Sequence, residues 1–253
     1  MQERTIDIDT GEGAMETFIT QPEAGGPFPA VIVYMDIWGV REELYDIARR
    51  IATAGYCGIV PDFYYRQGRK RFDTRGPGGK LMSAHLLEAA VRDEAVAVSR
   101  TLTDAMAIAD TAANIGFLAG EADICTDTMG SVGHCMGGRQ VLAVAGHLPN
   151  FRAAMSLHGT NLFTEKDDSP HLSAGKMQGE FYCGFAQLDA FAPPELVAAM
   201  ARAFAGAGAQ YRFNVHAGAD HGYALPDRDI HDKAAANRDW EIFFPMLRRQ
   251  TGG

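Results

Sequence analysis

Residues 129–138 read MGSVGHCMGG, a short run that ends in Gly-x-Cys-x-Gly and passes into a segment of helical composition. This is the pattern of a nucleophile elbow, a tight strand-to-helix turn, with cysteine in place of the more usual serine. Gly133 and Gly137 fit it, because the strained backbone and the closely packed helix leave no room for larger side chains. The alternative is a free core cysteine beside a glycine-rich turn, since glycine makes up 28 of the 253 residues. The rest of the chain must decide whether Cys135 is a nucleophile.

The composition predicts a globular protein of enzyme size. An apolar content of 47% in 253 residues is enough for a sizeable core. The net charge of −9 argues against a nucleic-acid-binding protein, which needs a basic face. We therefore expect small molecules as partners.

The N-terminal residues and the cysteines indicate the compartment. Residues 1–5 are polar, and no window approaches the roughly 18 apolar residues that span a bilayer, which predicts a cytoplasmic protein with no membrane contact. The four cysteines lack C-x-x-C or zinc spacing, which favours reduced thiols over disulfides and predicts no metal site. They are Cys57, Cys125, Cys135 and Cys183.

Strands and helices alternate along the chain. Before the elbow, residues 5–9 and 15–19 predict a hairpin, and a helix over 44–51 joins buried strands at 30–35 and 56–60 into a βαβ unit. The remaining predicted elements are two helices within 86–118 that meet near 101–104, strands at 153–157, 180–185 and 211–215, and helices at 194–204 and 230–249, the last ended or kinked by Pro245. The pattern predicts one doubly wound α/β domain, with a mostly parallel sheet, over residues 1–253.

A basic loop interrupts this alternation at residues 64–80, where arginine and lysine gather among glycines. A solvated loop is one interpretation. The other is that some of these cations line a site for an anionic substrate.

A nucleophilic Cys135 requires a base and an acid that orients the base. In an α/β-hydrolase arrangement these follow the nucleophile in the order acid, then base, each after a later strand. Asp189 follows the strand predicted at 180–185, and His221 follows the strand predicted at 211–215. Both residues occupy the required positions.

Other acids and histidines compete for these roles. Asp220 is less suited than Asp189, because an immediate neighbour rarely reaches round to the histidine ring. His134 is predicted to point away from the elbow, and His158 and His216 lie at strand ends, where they could be structural.

Five motifs, in chain order, carry a resemblance to a known family. They are DIWGV (36–40), PDFYYRQ (61–67), GHCMGG (133–138), DAFAP (189–193) and DHGY (220–223). Together they resemble the dienelactone hydrolase family (carboxymethylenebutenolidases) over nearly the whole chain. The resemblance implies an α/β-hydrolase fold with a Cys-His-Asp triad that cleaves a lactone or related carboxylic ester through a thioester acyl-enzyme. It further implies an oxyanion hole from the N–H groups of Ile37 and Met136, and no metal or organic cofactor.

The chain departs from the family pattern at two positions. The resemblance implies a glutamate that contacts the resting thiol where this chain has Asp36, whose side chain is one methylene shorter, and a helix N-cap or turn acid is the alternative role. It also implies an arginine that holds a substrate carboxylate where this chain has Leu225. Arg228 or Arg75 could substitute, but the simpler hypothesis is an uncharged ester or lactone.

Two classes of function remain open at this stage. The first is a cysteine hydrolase with substrate contacts from Trp38, Arg75, Tyr223 and Leu225. The second is a non-catalytic small-molecule-binding protein on a hydrolase scaffold, for which the changes at Asp36 and Leu225 are the main argument.

Overall fold

An eight-stranded sheet forms the centre of the protein in a computed structural model that describes residues 1–252. The strands are β1 (Gln2–Asp9), β2 (Ala14–Gln21), β3 (Phe28–Tyr34), β4 (Cys57–Pro61), β5 (Ile124–His134), β6 (Phe151–Leu157), β7 (Glu180–Ala186) and β8 (Gln210–His216). Their order across the sheet is β1-β2-β4-β3-β5-β6-β7-β8. The pairs β1–β2 and β2–β4 are antiparallel, and every other pair is parallel. The predicted α/β class, with its opening hairpin and parallel β3–β4 unit, is confirmed.

Within residues 1–252, six α-helices flank the sheet. They are α1 (Glu42–Thr53), α2 (Ala89–Thr101), α3 (Asp104–Leu118), α4 (Met136–Ala145), α5 (Pro194–Gly206) and α6 (Lys233–Thr251). Thr103 separates α2 from α3 by capping the N–H of Met106, as the predicted break near 101–104 requires. The helix predicted from 230 begins at Lys233, because the Asp232 carboxylate accepts the N–H groups of Ala234 and Ala235.

Of the two effects predicted for Pro245, an end or a kink of the last helix, the end does not occur, since α6 continues to Thr251. Proline removes one helical hydrogen bond at this position. However, α6 buries Trp240, Phe243 and Leu247, so apolar packing on both sides of Pro245 holds the helix together.

The core surrounds β5, the strand that carries the elbow. Gly130 faces α6, where a Cβ would lie 2.3 Å from Leu247 Cδ2, and Gly133 faces α4. Positions three apart on a strand lie on opposite faces, so α4 and α6 cover the two sides of the sheet at its centre. No helix within residues 1–252 is both long and apolar enough to cross a membrane.

Candidate active site

The elbow holds Cys135 in a strained turn at the carboxyl end of β5. Cys135 has φ 55° and ψ −115°, in a region that residues other than glycine rarely adopt. A Cβ on Gly133 would lie 2.2 Å from the Gly137 carbonyl oxygen, and one on Gly137 would lie 2.5 Å from the Tyr34 carbonyl oxygen. Both positions therefore need glycine for β5, α4 and β3 to approach this closely.

Asp189 and His221 lie on the loops after β7 and β8, at the same sheet edge as Cys135. Asp189 Oδ2 is 2.7 Å from His221 Nδ1, and Asp189 Oδ1 accepts the N–H of Phe191 at 2.8 Å. Asp189 is 3% exposed, so water competes little for its carboxylate. Asp220 instead accepts the backbone N–H of His221 at 2.6 Å. Thus Asp189 is placed to orient the ring, and Asp220 shapes the loop.

The imidazole of His221 also lies beside the Cys135 thiol. Burial opposes the charged imidazolium, but the neighbouring Cys135 sulfur and the hydrogen bond to Asp189 raise the pKa of His221 to about 10. Protonated His221 can therefore stabilise a thiolate at Cys135. The structure brings the three predicted triad residues together in the order Asp189, His221, Cys135.

Two further histidines lie beside the elbow and are held neutral. His158 Nδ1 accepts the N–H of Cys135 at 3.1 Å, and its ring stands edge-on to His221 with a centroid distance of 5.1 Å. Burial, with His221 and His134 nearby, lowers the pKa of His158 well below its ordinary value. Burial likewise lowers the pKa of His134 to about 4. Consequently, His221 is the imidazole of this cluster that carries a charge near neutral pH.

The predicted oxyanion donors are the backbone N–H groups of Ile37 and Met136. Ile37 follows β3 and Met136 begins α4. Neither N–H donates a hydrogen bond within residues 1–252. The Tyr64 hydroxyl donates to the Ile37 carbonyl at 3.3 Å and lies 3.7 Å from Met136 Sδ, which ties the two segments together. Two free N–H groups near a nucleophile are what an oxyanion requires.

Asp36 does not make the thiol contact that the resemblance implied. Its Oδ1 accepts from Arg41 Nη1 at 2.8 Å and from the Trp38 N–H at 3.1 Å, and its Oδ2 accepts from Arg41 Nη2 at 3.0 Å. The side chain is fully buried. Because a guanidinium and a turn N–H occupy the carboxylate, Asp36 is a turn acid and ion-pair partner, close to its alternative interpretation.

Two of the predicted substrate contacts belong to the core. Tyr223 is fully buried, and its hydroxyl donates to Asp239 Oδ2 at 2.6 Å. Asp239 Oδ1 also accepts from Tyr182 at 2.5 Å and pairs with His216 Nε2 at 2.7 Å. Leu225 is likewise fully buried. Neither side chain therefore offers a surface to a substrate, and His216 is structural.

The other two predicted contacts have different surroundings. Arg75 is exposed and pairs with Asp73 and with the Gly79 carbonyl at 2.8 Å. Trp38 is buried, and the Arg228 guanidinium carbon lies 5.8 Å from its ring centroid. Arg228 is 5% exposed, and within residues 1–252 no carboxylate lies within ion-pair distance of it. Its guanidinium packs against Gly222, the neighbour of His221, so this cation lies beside the site.

The basic loop uses its cations within the protein. Its salt bridges join Arg66 to Glu12 and Asp110, Arg69 to Asp7 and Glu16, Lys70 to Glu94, and Arg71 to Glu16 and Asp62. Most of these acids belong to the opening hairpin and to α3. The loop is therefore fastened to the sheet edge by charge.

Sequence reasoning missed Phe191 and Arg41. Phe191 is 53% exposed, and its ring centroid lies 5.1 Å from that of His221, which makes it an apolar wall at the mouth of the site. Its position two residues after Asp189 is the sequence signal that could have identified Phe191. No such signal identifies Arg41, because its second partner, Asp227, is distant along the chain.

Comparison with known proteins shows the family of the chain. The model of the "Dienelactone hydrolase family" matches residues 15–251. A protein of Salmonella typhi named "Putative carboxymethylenebutenolidase" is 30% identical over 242 residues, which cover 94% of this chain and 84% of the relative. One of the same name from Methylorubrum extorquens is 29% identical over 61% of this chain, and this chain spans 48% of that relative's length.

A solved structure shows the same fold. The crystal structure of "Putative Dienelactone Hydrolase" from Klebsiella pneumoniae superposes with a TM-score of 0.81 at 24% sequence identity. The superposition covers 96% of this chain and 98% of that one.

Proposed function

The chain belongs to the dienelactone hydrolase family, a family of lactone and ester hydrolases, and from this premise we propose that it cleaves its substrate with Cys135 as nucleophile. His221 is the base and acid of the reaction, and Asp189 orients it. One observation carries the proposal: the His221 imidazole is hydrogen-bonded to the buried carboxylate of Asp189 and lies beside a thiol on a strained elbow.

The first half-reaction transfers the acyl group to sulfur. The Cys135 thiolate attacks the carbonyl carbon, a C–S bond forms, and the carbonyl electron pair moves to oxygen, where the N–H groups of Ile37 and Met136 stabilise it. Collapse of this intermediate breaks the C–O bond. The leaving alkoxide takes the proton of the His221 imidazolium. With a lactone, the new hydroxyl stays on the acyl group.

The second half-reaction restores the enzyme. Neutral His221 removes a proton from water as the water oxygen attacks the thioester carbonyl. The second intermediate collapses with loss of the Cys135 thiolate, which faces imidazolium again. The acid product releases its proton to solvent, so atoms and charge balance over the cycle.

Turnover of ester substrates by cysteine variants tests the proposal. We expect Cys135→Ala to abolish hydrolysis and Cys125→Ala to retain it, with a thioester adduct on Cys135 visible by mass spectrometry after rapid acid quenching. Cys125 is a suitable control because it is half-buried on β5, the strand that leads to Cys135. Unchanged activity of Cys135→Ala would reject Cys135 as the nucleophile.

The same assay addresses the charge of the substrate. Leu225 in place of the family arginine suggested an uncharged ester, whereas Arg228 supports a substrate with a carboxylate, because a nearly buried guanidinium without a carboxylate partner favours an anion. Dienelactone and a neutral aryl ester distinguish the two. A strong preference for dienelactone that Arg228→Gln removes would support the anionic substrate, and a preference for the neutral ester would support the uncharged one.

A further inference from the structure

A buried ion triplet joins two loops beside the active site. The Arg41 guanidinium binds Asp36 at 2.8 and 3.0 Å through Nη1 and Nη2, and binds Asp227 at 2.6 and 3.2 Å through Nε and Nη2. The side chains of Arg41, Asp36 and Asp227 are 11%, 0% and 7% exposed. A planar guanidinium can hold two carboxylates in this way, and an ammonium group cannot.

The two carboxylates lie on different loops of the proposed site. Asp36 begins the turn after β3 that presents the Ile37 N–H, and its carboxylate also fixes that turn through the N–H of Trp38. Asp227 lies on the loop that carries His221. The Asp227 carbonyl accepts the N–H of Leu81 at 2.8 Å, so this loop is anchored at a second point.

We propose that Arg41 is a positioning residue, which sets the Ile37 N–H and the His221 imidazole at their working separation by holding Asp36 and Asp227 together. This inference rests on the proposed function. Hydrogen-bond donors stabilise an oxyanion only when they point at its position, and errors of about 1 Å in a reacting geometry cost about a hundredfold in rate. A buried fork with four hydrogen bonds of 2.6 to 3.2 Å provides that accuracy.

This role differs from that of a thiol base. The guanidinium and the Trp38 N–H already occupy both oxygens of Asp36, and His221 already lies beside the thiol. If Asp36 were the base, Asp36→Asn would change the pH dependence of Cys135 alkylation. If it belongs to the triplet, Asp36→Asn leaves that pH dependence unchanged and lowers kcat.

The test compares Arg41→Lys with Arg49→Lys. Arg49, within α1, is also an arginine that binds carboxylates, those of Glu3, Glu42 and Asp46, but its side chain is 26% exposed. For Arg41→Lys we expect kcat for an ester to fall about tenfold to a hundredfold with KM changed far less, because the lost geometry matters most in the transition state. The alkylation profile of Cys135 should match that of the wild type. Arg49→Lys should leave kcat, KM and the alkylation profile of Cys135 unchanged.

Arg41→Lys with wild-type kcat, in an enzyme that still acylates Cys135, would overturn the positioning role and leave the proposed function intact. Absence of acyl-Cys135 in the wild type would overturn the proposed function itself. If Arg41→Lys fails to fold, Asp227→Asn serves instead, because its side chain has the same shape but its amide NH2 cannot accept one of the two hydrogen bonds from Arg41. The same fall in kcat without a change in alkylation supports the proposal, and wild-type kcat refutes it.

Discussion

One carboxylate decides which nitrogen of His221 carries the proton. Asp189 accepts from Nδ1 at 2.7 Å, which leaves Nε2 to face the thiol. An amide at this position can donate to Nδ1 and so favours the wrong tautomer. We expect Asp189→Asn to lower kcat about 10³-fold while the protein stays folded, as measured by steady-state hydrolysis and circular dichroism.

Asp220→Asn is the matched control, since Asp220 is adjacent to His221 but accepts only its backbone N–H. Asparagine keeps an oxygen acceptor at this position, so activity should change little. Equal losses in the two variants would contradict the role given to Asp189 and return Asp220 to consideration.

Single residues also mark the limit of sequence reasoning at this site. Asp189 and His221 could be predicted, because each follows a recognisable buried strand and the chain order is fixed by the fold. The ion pair of Asp36 with Arg41 could not be predicted, since Arg41 also binds Asp227, which is distant along the chain. The burial of Tyr223 was also hidden, because its direction depends on Asp239 of α6.

The elbow brings β5, α4 and β3 together at two glycines, Gly133 and Gly137, and substitution of Gly137 tests how closely these elements pack. At Gly137 a Cβ would lie 2.5 Å from the Tyr34 carbonyl oxygen and 2.6 Å from that of Met35, both of them backbone atoms that cannot turn aside. Gly137→Ala must therefore push α4 away from β3. We expect a destabilisation of about 2 kcal/mol or more, with a fall in hydrolysis.

Gly116→Ala is the control for this substitution, because Gly116 lies within α3 and a Cβ there meets nothing within 4 Å. Alanine in an open helical position should stabilise the protein by about 0.5–1 kcal/mol. Urea unfolding measures both variants. A tolerated Gly137→Ala would mean that α4 does not pack as closely as the structure indicates.

At the scale of the whole molecule, the sheet order explains why the triad residues meet. The carboxyl ends of β5, β7 and β8 lie at one edge of the sheet, so loops far apart in sequence converge there. Alternating buried runs and helical periodicities predicted the elements and their parallel pairing. They did not predict that β4 would lie outside β3, which places β3 beside β5 and Ile37 beside the elbow, because neighbour choice depends on long-range packing.

The four cysteines of the chain differ sharply in their surroundings. Burial raises the pKa of Cys57 and that of Cys183 to about 12, so both should stay unreactive until the protein unfolds. Cys125 is half-buried without an imidazole partner, whereas Cys135 faces His221. We expect iodoacetamide to label Cys135 far faster than the other three, as read by peptide mass spectrometry.

The pH dependence of this labelling follows from the raised pKa of His221, about 10. The imidazolium persists below that pH, so its positive charge can stabilise a thiolate at Cys135 near neutral pH, and this charge is lost as the pH rises through about 10. His221→Asn removes the charge and should therefore slow the labelling of Cys135 near neutral pH. Equal rates for all four cysteines would favour a non-catalytic binding protein, because a catalytic thiol must be the reactive one.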